Sequence, residues 1–311
     1  MDIVFLGNPD FAVTCLNKLA ESKHRIIATV TNPPKRSGRG KIFKASPVSI
    51  AANQLKIPVL EIDDLLCDHT FQLLKRFKAD VFVVVAYRIL PKRIIGIPKF
   101  GSVNLHGSLL PKYRGAAPIQ WALIHGDRMT GLTTFLIEPK IDSGHILLQK
   151  QLPIDENDDY GSLAEKMSVL GADLIIETLD QLEAGKLKPY PQDFSEITSA
   201  PKITPKLTIV NWKLPAIKLH HLIRGLSPTP GVKTTVNNKQ IKLFCSRVIQ
   251  EESTAAPGTI TSVEKDHFLV QTGSGQLAVY EMQMEGKRRL SVEEFLRGYH
   301  LTAGTYLGSH G

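Results

Sequence analysis

The run Val81-Phe82-Val83-Val84-Val85-Ala86 constrains the chain more than any other feature: six apolar residues with no polar alternation. A strand that is hydrophobic at every position is buried on both faces, as in a parallel sheet covered by helices on each side. Its surroundings fit that picture. Residues 3–6 and 25–30 read as strands and 11–20 as a helix. Residues 64–77 read as a helix with Leu65, Leu66, Leu73 and Leu74 on one face. Residues 102–105 read as a short strand, 116–124 as a helix, 130–137 and 146–152 as strands, and 162–183 as a long amphipathic helix. The alternation predicts a doubly wound α/β domain with a mostly parallel sheet over residues 1–184.

Composition changes at Gly185. Pro189, Pro191, Pro201 and Pro205 among scattered polar residues predict an extended linker over 185–206. Beyond it, 216–224 reads as a short helix, and short strands follow at turn-marked intervals. Asn237-Asn238 between 232–236 and 240–244 predicts a hairpin. Pro257-Gly258 and Gly273-Ser274-Gly275 mark further turns, so 207–311 is expected to form a small β-barrel. Ser291-Val292-Glu293-Glu294 is a capping box that opens a terminal helix.

The densest chemistry lies in Val103-Asn104-Leu105-His106-Gly107-Ser108-Leu109-Leu110-Pro111. Side chains alternate along a strand, so Asn104 and His106 point to one side. Gly107 and Pro111 end the strand, which puts both polar groups at the carboxyl edge, where open α/β sheets bind ligands. An amide beside an imidazole can aim two N–H donors at one developing oxyanion. Taken alone, the pair reads first as a strand end with a capped turn. Asp142 in Ile141-Asp142-Ser143-Gly144-His145 reads alone as an Asx-turn. Folded against the first edge, it would pair with His106, favour the imidazolium and accept a proton.

The loop Lys35-Arg36-Ser37-Gly38-Arg39-Gly40-Lys41 mixes cations with glycines, which suits either a phosphate-contacting loop or a solvated one. There is no acid between Thr31 and Leu60, and the whole chain carries 38 basic against 30 acidic residues, a net +8 that favours anionic partners. Gly7-Asn8-Pro9-Asp10 after the first strand lacks a GxGxxG fingerprint, which argues against a nicotinamide dehydrogenase. No HExxH or Cys/His spacing points to a metal, and His220-His221 reads as a packed or capping pair. The three cysteines (Cys15, Cys67, Cys245) form no CxxC pair, and Met1 to Gly7 reads as a strand rather than a signal peptide. No apolar run approaches the ~20 residues of a membrane span. A cytoplasmic protein is expected.

Three segments together are familiar: Asn104-Leu105-His106-Gly107-Ser108-Leu109-Leu110-Pro111, then Arg114-Gly115-Ala116-Ala117-Pro118-Ile119-Gln120, then Asp142-Ser143-Gly144. They resemble the folate-dependent formyltransferases. The loop Gly38-Arg39-Gly40-Lys41, Gly286-Lys287-Arg288-Arg289-Leu290 and Phe295-Leu296-Arg297-Gly298 resemble the branch that acts on methionyl-tRNA, and the likeness runs from residue 1 to about 308. The resemblance implies a Rossmann-like formyltransferase domain, a linker, and a C-terminal OB-like domain that binds tRNA. It implies transfer of the formyl group of 10-formyltetrahydrofolate, a donor substrate rather than a tightly bound cofactor, to the amino group of initiator methionyl-tRNA. It carries catalytic roles to Asn104, His106 and Asp142, folate contacts to Ser108, Leu109, Leu110 and Pro111, and tRNA contacts to Arg36, Arg39 and Lys41. No metal and no membrane is expected, and the protein is expected to be monomeric.

Two segments depart from the family pattern. Ala86-Tyr87-Arg88-Ile89-Leu90-Pro91 has Arg88 in place of a glycine and is one residue shorter. Arg224-Gly225-Leu226-Ser227-Pro228-Thr229-Pro230-Gly231 lacks the usual aromatic. Another folate-dependent transferase or hydrolase, or a non-catalytic RNA-binding relative, are the alternatives. Asp142→Asn separates the last: transfer should vanish while tRNA affinity persists.

Overall fold

The computed structural model describes residues 1–37, 42–251 and 253–308. Arg39 and Lys41 lie outside the described residues, and of Arg36 only the backbone is described. The described chain packs as two compact units. The first comprises Met1–Pro118, Met129–Pro153 and Ala164–Pro201; the second comprises Ile119–Arg128, Ile154–Leu163 and the chain from Lys202 on.

In chain order the first part runs β1 (Asp2–Gly7), α1 (Asp10–Ala20), β2 (Arg25–Thr31), β3 (Lys35–Ser37), β4 (Ile42–Lys44), α2 (Pro47–Gln54), β5 (Val59–Glu61) and α3 (Asp68–Arg76). It continues with β6 (Val81–Val85), α4 (Lys92–Ile95), β7 (Ser102–His106), α5 (Pro118–His125), β8 (Met129–Leu136), β9 (Ile146–Pro153) and α6 (Tyr160–Glu183). One sheet takes the order β5-β2-β1-β6-β7-β8-β9. Its first four pairings are parallel, and the last two, β7 with β8 and β8 with β9, are antiparallel. The expected doubly wound domain is therefore present, with an antiparallel edge.

β6 sits between β1 and β7, and all five of its residues are buried, which is why it reads as an unbroken apolar run. Phe82 and Val84 pack with Val4, Leu6, Val30, Leu74 and Ile94 in one core; complete burial of each large side chain contributes ~1.5–3 kcal/mol. α1 turns Ala12, Cys15, Leu16 and Leu19 inward at helical spacing. α2 begins at Ser46, whose hydroxyl accepts from the Ser49 N–H at 3.0 Å, with Pro47 following. The helix expected over 64–77 starts only at Asp68; the Asp64 carboxylate instead accepts from the Leu66 N–H at 2.7 Å, an Asx-turn that holds the preceding residues out of the helix.

The second part contains α7 (Ala216–Leu226), β10 (Val232–Val236), β11 (Lys239–Ile249), β12 (Ile260–Val263), β13 (Phe268–Gln271), β14 (Gln276–Met284), β15 (Arg289–Ser291) and α8 (Val292–Leu296). The strands form an antiparallel sheet in the order β10-β11-β14-β13-β12, with β15 on β14. Asn237 and Asn238 both adopt positive φ (48° and 60°) and make the β10–β11 turn. Residues 304–308 join the two edges. Leu307 bridges to Val236 of β10, and Tyr306 bridges to Thr259 just before β12. Trp212, Leu219, Ile223, Val232, Phe268 and Val279 fill the interior. The capping box forms as read, with the Ser291 hydroxyl and the Glu294 carboxylate each accepting from the other's backbone N–H.

Candidate active site

β7 lies between β6 and β8, with Asn104 level with Val84 on one side and Phe135 on the other, and His106 level with Thr133. Two residues apart on one strand, Asn104 and His106 share a face. The His106 ring is buried and meets Phe135 edge-on at 6.5 Å. Its Nε2 lies 2.8 Å from the Tyr113 carbonyl oxygen. A carbonyl only accepts, so Nε2 carries a hydrogen, and Nδ1 is the nitrogen turned toward Asp142, 3.8 Å from Oδ2. Nδ1 can donate only in the imidazolium. Asn104 keeps a buried Oδ1 with no hydrogen-bond partner among the described residues, an arrangement that costs ~1–3 kcal/mol unless a ligand or a water supplies a donor.

Asp142 reaches His106 because β8 and β9 are joined by the turn that carries it. The Leu136 N–H donates to the His145 carbonyl at 3.0 Å across the base of that turn. Asp142 itself takes φ +47°, the left-handed region that a short polar side chain tolerates. Gly144 is obligatory: a Cβ there would lie 1.6 Å from the Leu136 carbonyl oxygen. The Asp142 carboxylate accepts from the Gly115 N–H at 2.8 Å. The structure thus brings Asp142 to His106 and to the Arg114-Gly115 backbone, and leaves Asn104 on the strand face that His106 shares.

The segment from Ser108 to Pro111 is braced from beneath. Thr133 Oγ1 accepts from the Leu110 N–H at 3.0 Å and donates to the Ser108 carbonyl at 2.7 Å. Gln149 Nε2 donates to the Leu110 carbonyl at 2.9 Å and to Thr133 Oγ1 at 2.8 Å. Ser108 is buried and its hydroxyl donates to the Lys112 carbonyl at 2.6 Å, so it is engaged within its own turn. Leu110 and Pro111 are buried, whereas Leu109 is half-buried. Leu109 sits over Gly131, where a Cβ would approach its Cδ2 to 2.6 Å.

Arg88 shows what the short loop after β6 does instead of using glycine. Its guanidinium donates to the carbonyls of Asp63 and Ile62 and, at 3.0 Å, to the Tyr87 hydroxyl, and it lies over the Tyr87 ring at 5.3 Å. The loop is pinned to the chain beyond β5. Burial raises the pKa of Tyr87 against the opposing effect of Arg88.

Thr133, Gln149 and Gln192 escape a sequence reading. Thr133 and Gln149 are ordinary residues on adjacent strands whose value is their register. Gln192 lies in the proline-rich stretch expected to be a linker, yet the chain up to Pro201 packs in the first unit. Arg114 pairs with Ser199 there. Burial of the Arg114 guanidinium lowers its pKa, and the nearby Asp142 carboxylate opposes that shift.

Residues 1–179 match the formyl transferase family, and residues 202–300 match the formyl transferase C-terminal domain. The chain belongs to the formyl transferase family. Among its relatives in that family, the methionyl-tRNA formyltransferase of Caldanaerobacter subterraneus subsp. tengcongensis is 41% identical over 309 residues, covering 99% of this chain and 100% of the relative. The methionyl-tRNA formyltransferase of Desulforamulus reducens is 39% identical over 313 residues, covering 100% and 99%. Solved formyl transferase structures share the fold. WlaRD, a sugar 3N-formyl transferase determined in the presence of dTDP and 5-N-formyl-THF, aligns with a TM-score of 0.66 at 19% identity, over 93% of this chain and 99% of that one. The phosphoribosylglycinamide formyltransferase of Bacillus halodurans aligns with a TM-score of 0.51 at 22% identity, over 58% of this chain and 95% of that one. Among the described residues no helix is long and apolar enough to cross a membrane.

Proposed function

We propose that this formyl transferase passes the formyl group of 10-formyltetrahydrofolate to the amino group of initiator methionyl-tRNA. The observation that carries the reading is the approach of Asp142 to within 3.8 Å of His106 beside Asn104, in a chain that matches methionyl-tRNA formyltransferases over its whole length. In this mechanism the methionyl amine attacks the formyl carbon and charge gathers on the formyl oxygen. The Asn104 amide and the Nδ1–H of the His106 imidazolium donate to that oxygen; one such donor contributes ~10²–10³ in rate. Asp142 accepts the proton shed by the nitrogen, directly or through one water. Collapse breaks the bond to the folate nitrogen, which takes up the proton held by Asp142, directly or through the same water, and leaves as tetrahydrofolate.

The same reading assigns roles to the other residues. Leu109 presents an apolar surface, and the braced backbone of Ser108, Leu110 and Pro111 supplies a rigid wall for the folate ring. Arg36, Arg39 and Lys41 contact the tRNA acceptor end. The first unit carries the catalytic site, the second unit with the chain from Lys202 on binds the tRNA, and the enzyme acts as a cytoplasmic monomer. The deciding experiment incubates the purified protein with 10-formyltetrahydrofolate and methionyl-tRNA. Formyl-methionyl-tRNA is expected to accumulate; if none forms, the reading is rejected.

A further inference from the structure

Gln192 is buried at 3% exposure, and both ends of its amide are engaged. Nε2 donates to the Asp142 carbonyl at 2.9 Å and to the Gly144 carbonyl at 2.8 Å. Oε1 accepts from Arg114 Nε at 3.1 Å and Nη2 at 2.6 Å. Arg114 also lies 5.5 Å from the centre of the Phe194 ring. One side chain therefore ties the turn that carries Asp142 to Arg114, the residue just before the Gly115 N–H that donates to the Asp142 carboxylate, and Arg114 in turn pairs with Ser199.

We propose that Gln192 is a positioning residue for Asp142: its amide fixes the left-handed turn at 142–144 and the Arg114-Gly115 backbone as one unit, and so holds the carboxylate toward His106. An Asp at φ +47° on a connection between two antiparallel strands has no helix or ladder to fix its direction. Two carbonyls on either side of Ser143 gripped by one NH₂ group supply that constraint. The Oε1 contact orients the amide so that its NH₂ end faces the turn, because Arg114 can only donate. Gln192 performs no chemistry itself. The kinetic part of this inference rests on the formyl transfer proposed above; the structural part does not.

Two variants separate the possibilities. Gln192→Glu keeps the size of the side chain and an acceptor for Arg114 but loses the donors to the Asp142 and Gly144 carbonyls. Gln192→Ala loses both ends. Amide hydrogen exchange at Gly115 is expected to accelerate in both variants while the amides of β6 and β7 keep their protection. In the formylation assay kcat is expected to fall about tenfold or more in both, with KM for folate and for tRNA little changed, because a misdirected group costs rate rather than ground-state binding. In an Asp142→Asn background, Gln192→Ala is expected to add no further loss. Unchanged exchange at Gly115, losses that multiply in the Asp142→Asn background, or general loss of protection in both variants would each overturn the proposal. If the wild-type protein shows no formylation, the functional reading fails and the exchange measurement alone decides the role of Gln192.

Discussion

At the scale of single residues, the site is a set of directed polar groups. Asp142→Asn keeps the shape of the side chain and its contact with the Gly115 N–H, but it removes the charge opposite His106 and with it the proposed proton acceptor. The expected result is a fall in kcat of ~10²–10⁴, with tRNA affinity retained in a filter-binding or fluorescence titration. Gly144→Ala acts differently. Its Cβ would strike the Leu136 carbonyl at 1.6 Å, a backbone atom that cannot step aside, so the β8–β9 connection must open. A loss of more than about 2 kcal/mol of unfolding free energy, read from a denaturant titration, is expected together with lost transfer. Part of this site was legible beforehand. Strand alternation alone put Asn104 and His106 on one face. The approach of Asp142 could not be read the same way, because it depends on a β8–β9 turn closed by Gly144 against Leu136. Gln192 gave no signal at all: a glutamine between Pro191 and Asp193 looks like any solvated linker residue, and its burial is a tertiary fact.

At the scale of elements, long apolar or periodic segments declared themselves and short ones did not. β6, α1, β8 and α6 follow from hydrophobic pattern. β5 has only three residues, Val59–Glu61, at a sheet edge, and α2 is a small-residue helix with little amphipathic contrast, so neither stands out. α7 carries a prediction of its own. Burial pushes the pKa of His220 down to about 4, with Arg224 and His221 adding to the effect and the contact with Ser246 opposing it. His221 is also lowered, chiefly by burial. The unfolded chain then binds more protons than the folded one between about pH 6.5 and 4, so stability rises with pH across that window. The contribution of His220 is complete above its unfolded pKa and is lost as pH falls toward 4. His220→Gln keeps a polar side chain near Ser246 without a titrating ring. Thermal melts at pH 7 and pH 4.5 should differ less in this variant than in the wild type; an undiminished gap would mean that other groups control the acid limb.

At the scale of the whole molecule, the two expected domain types are both present, an α/β unit and an antiparallel β unit, but the chain does not pass from one to the other only once. Ile119–Arg128 and Ile154–Leu163 belong to the second unit, which no compositional shift announces. These excursions lie within stretches that read as ordinary helix and loop, because residence in a unit is decided by long-range packing rather than by local pattern. Charge is the whole-molecule property that sequence does fix: a net +8, with no acid from Thr31 to Leu60. A surplus of this kind acts on a polyanion through released counterions, so tRNA affinity should fall linearly on a log–log plot against salt, by ~0.7–0.9 in slope for each phosphate engaged. Arg39→Ala and Lys41→Ala each remove one cation, and each should make that slope shallower by about one. Turnover on methionyl-tRNA should drop more than turnover on a small free-amine acceptor, because the small acceptor has no phosphates for the loop to engage. Equal losses on the two acceptors, with an unchanged salt slope, would remove the loop from the tRNA interface and leave the remaining cations of the chain to account for the grip on RNA.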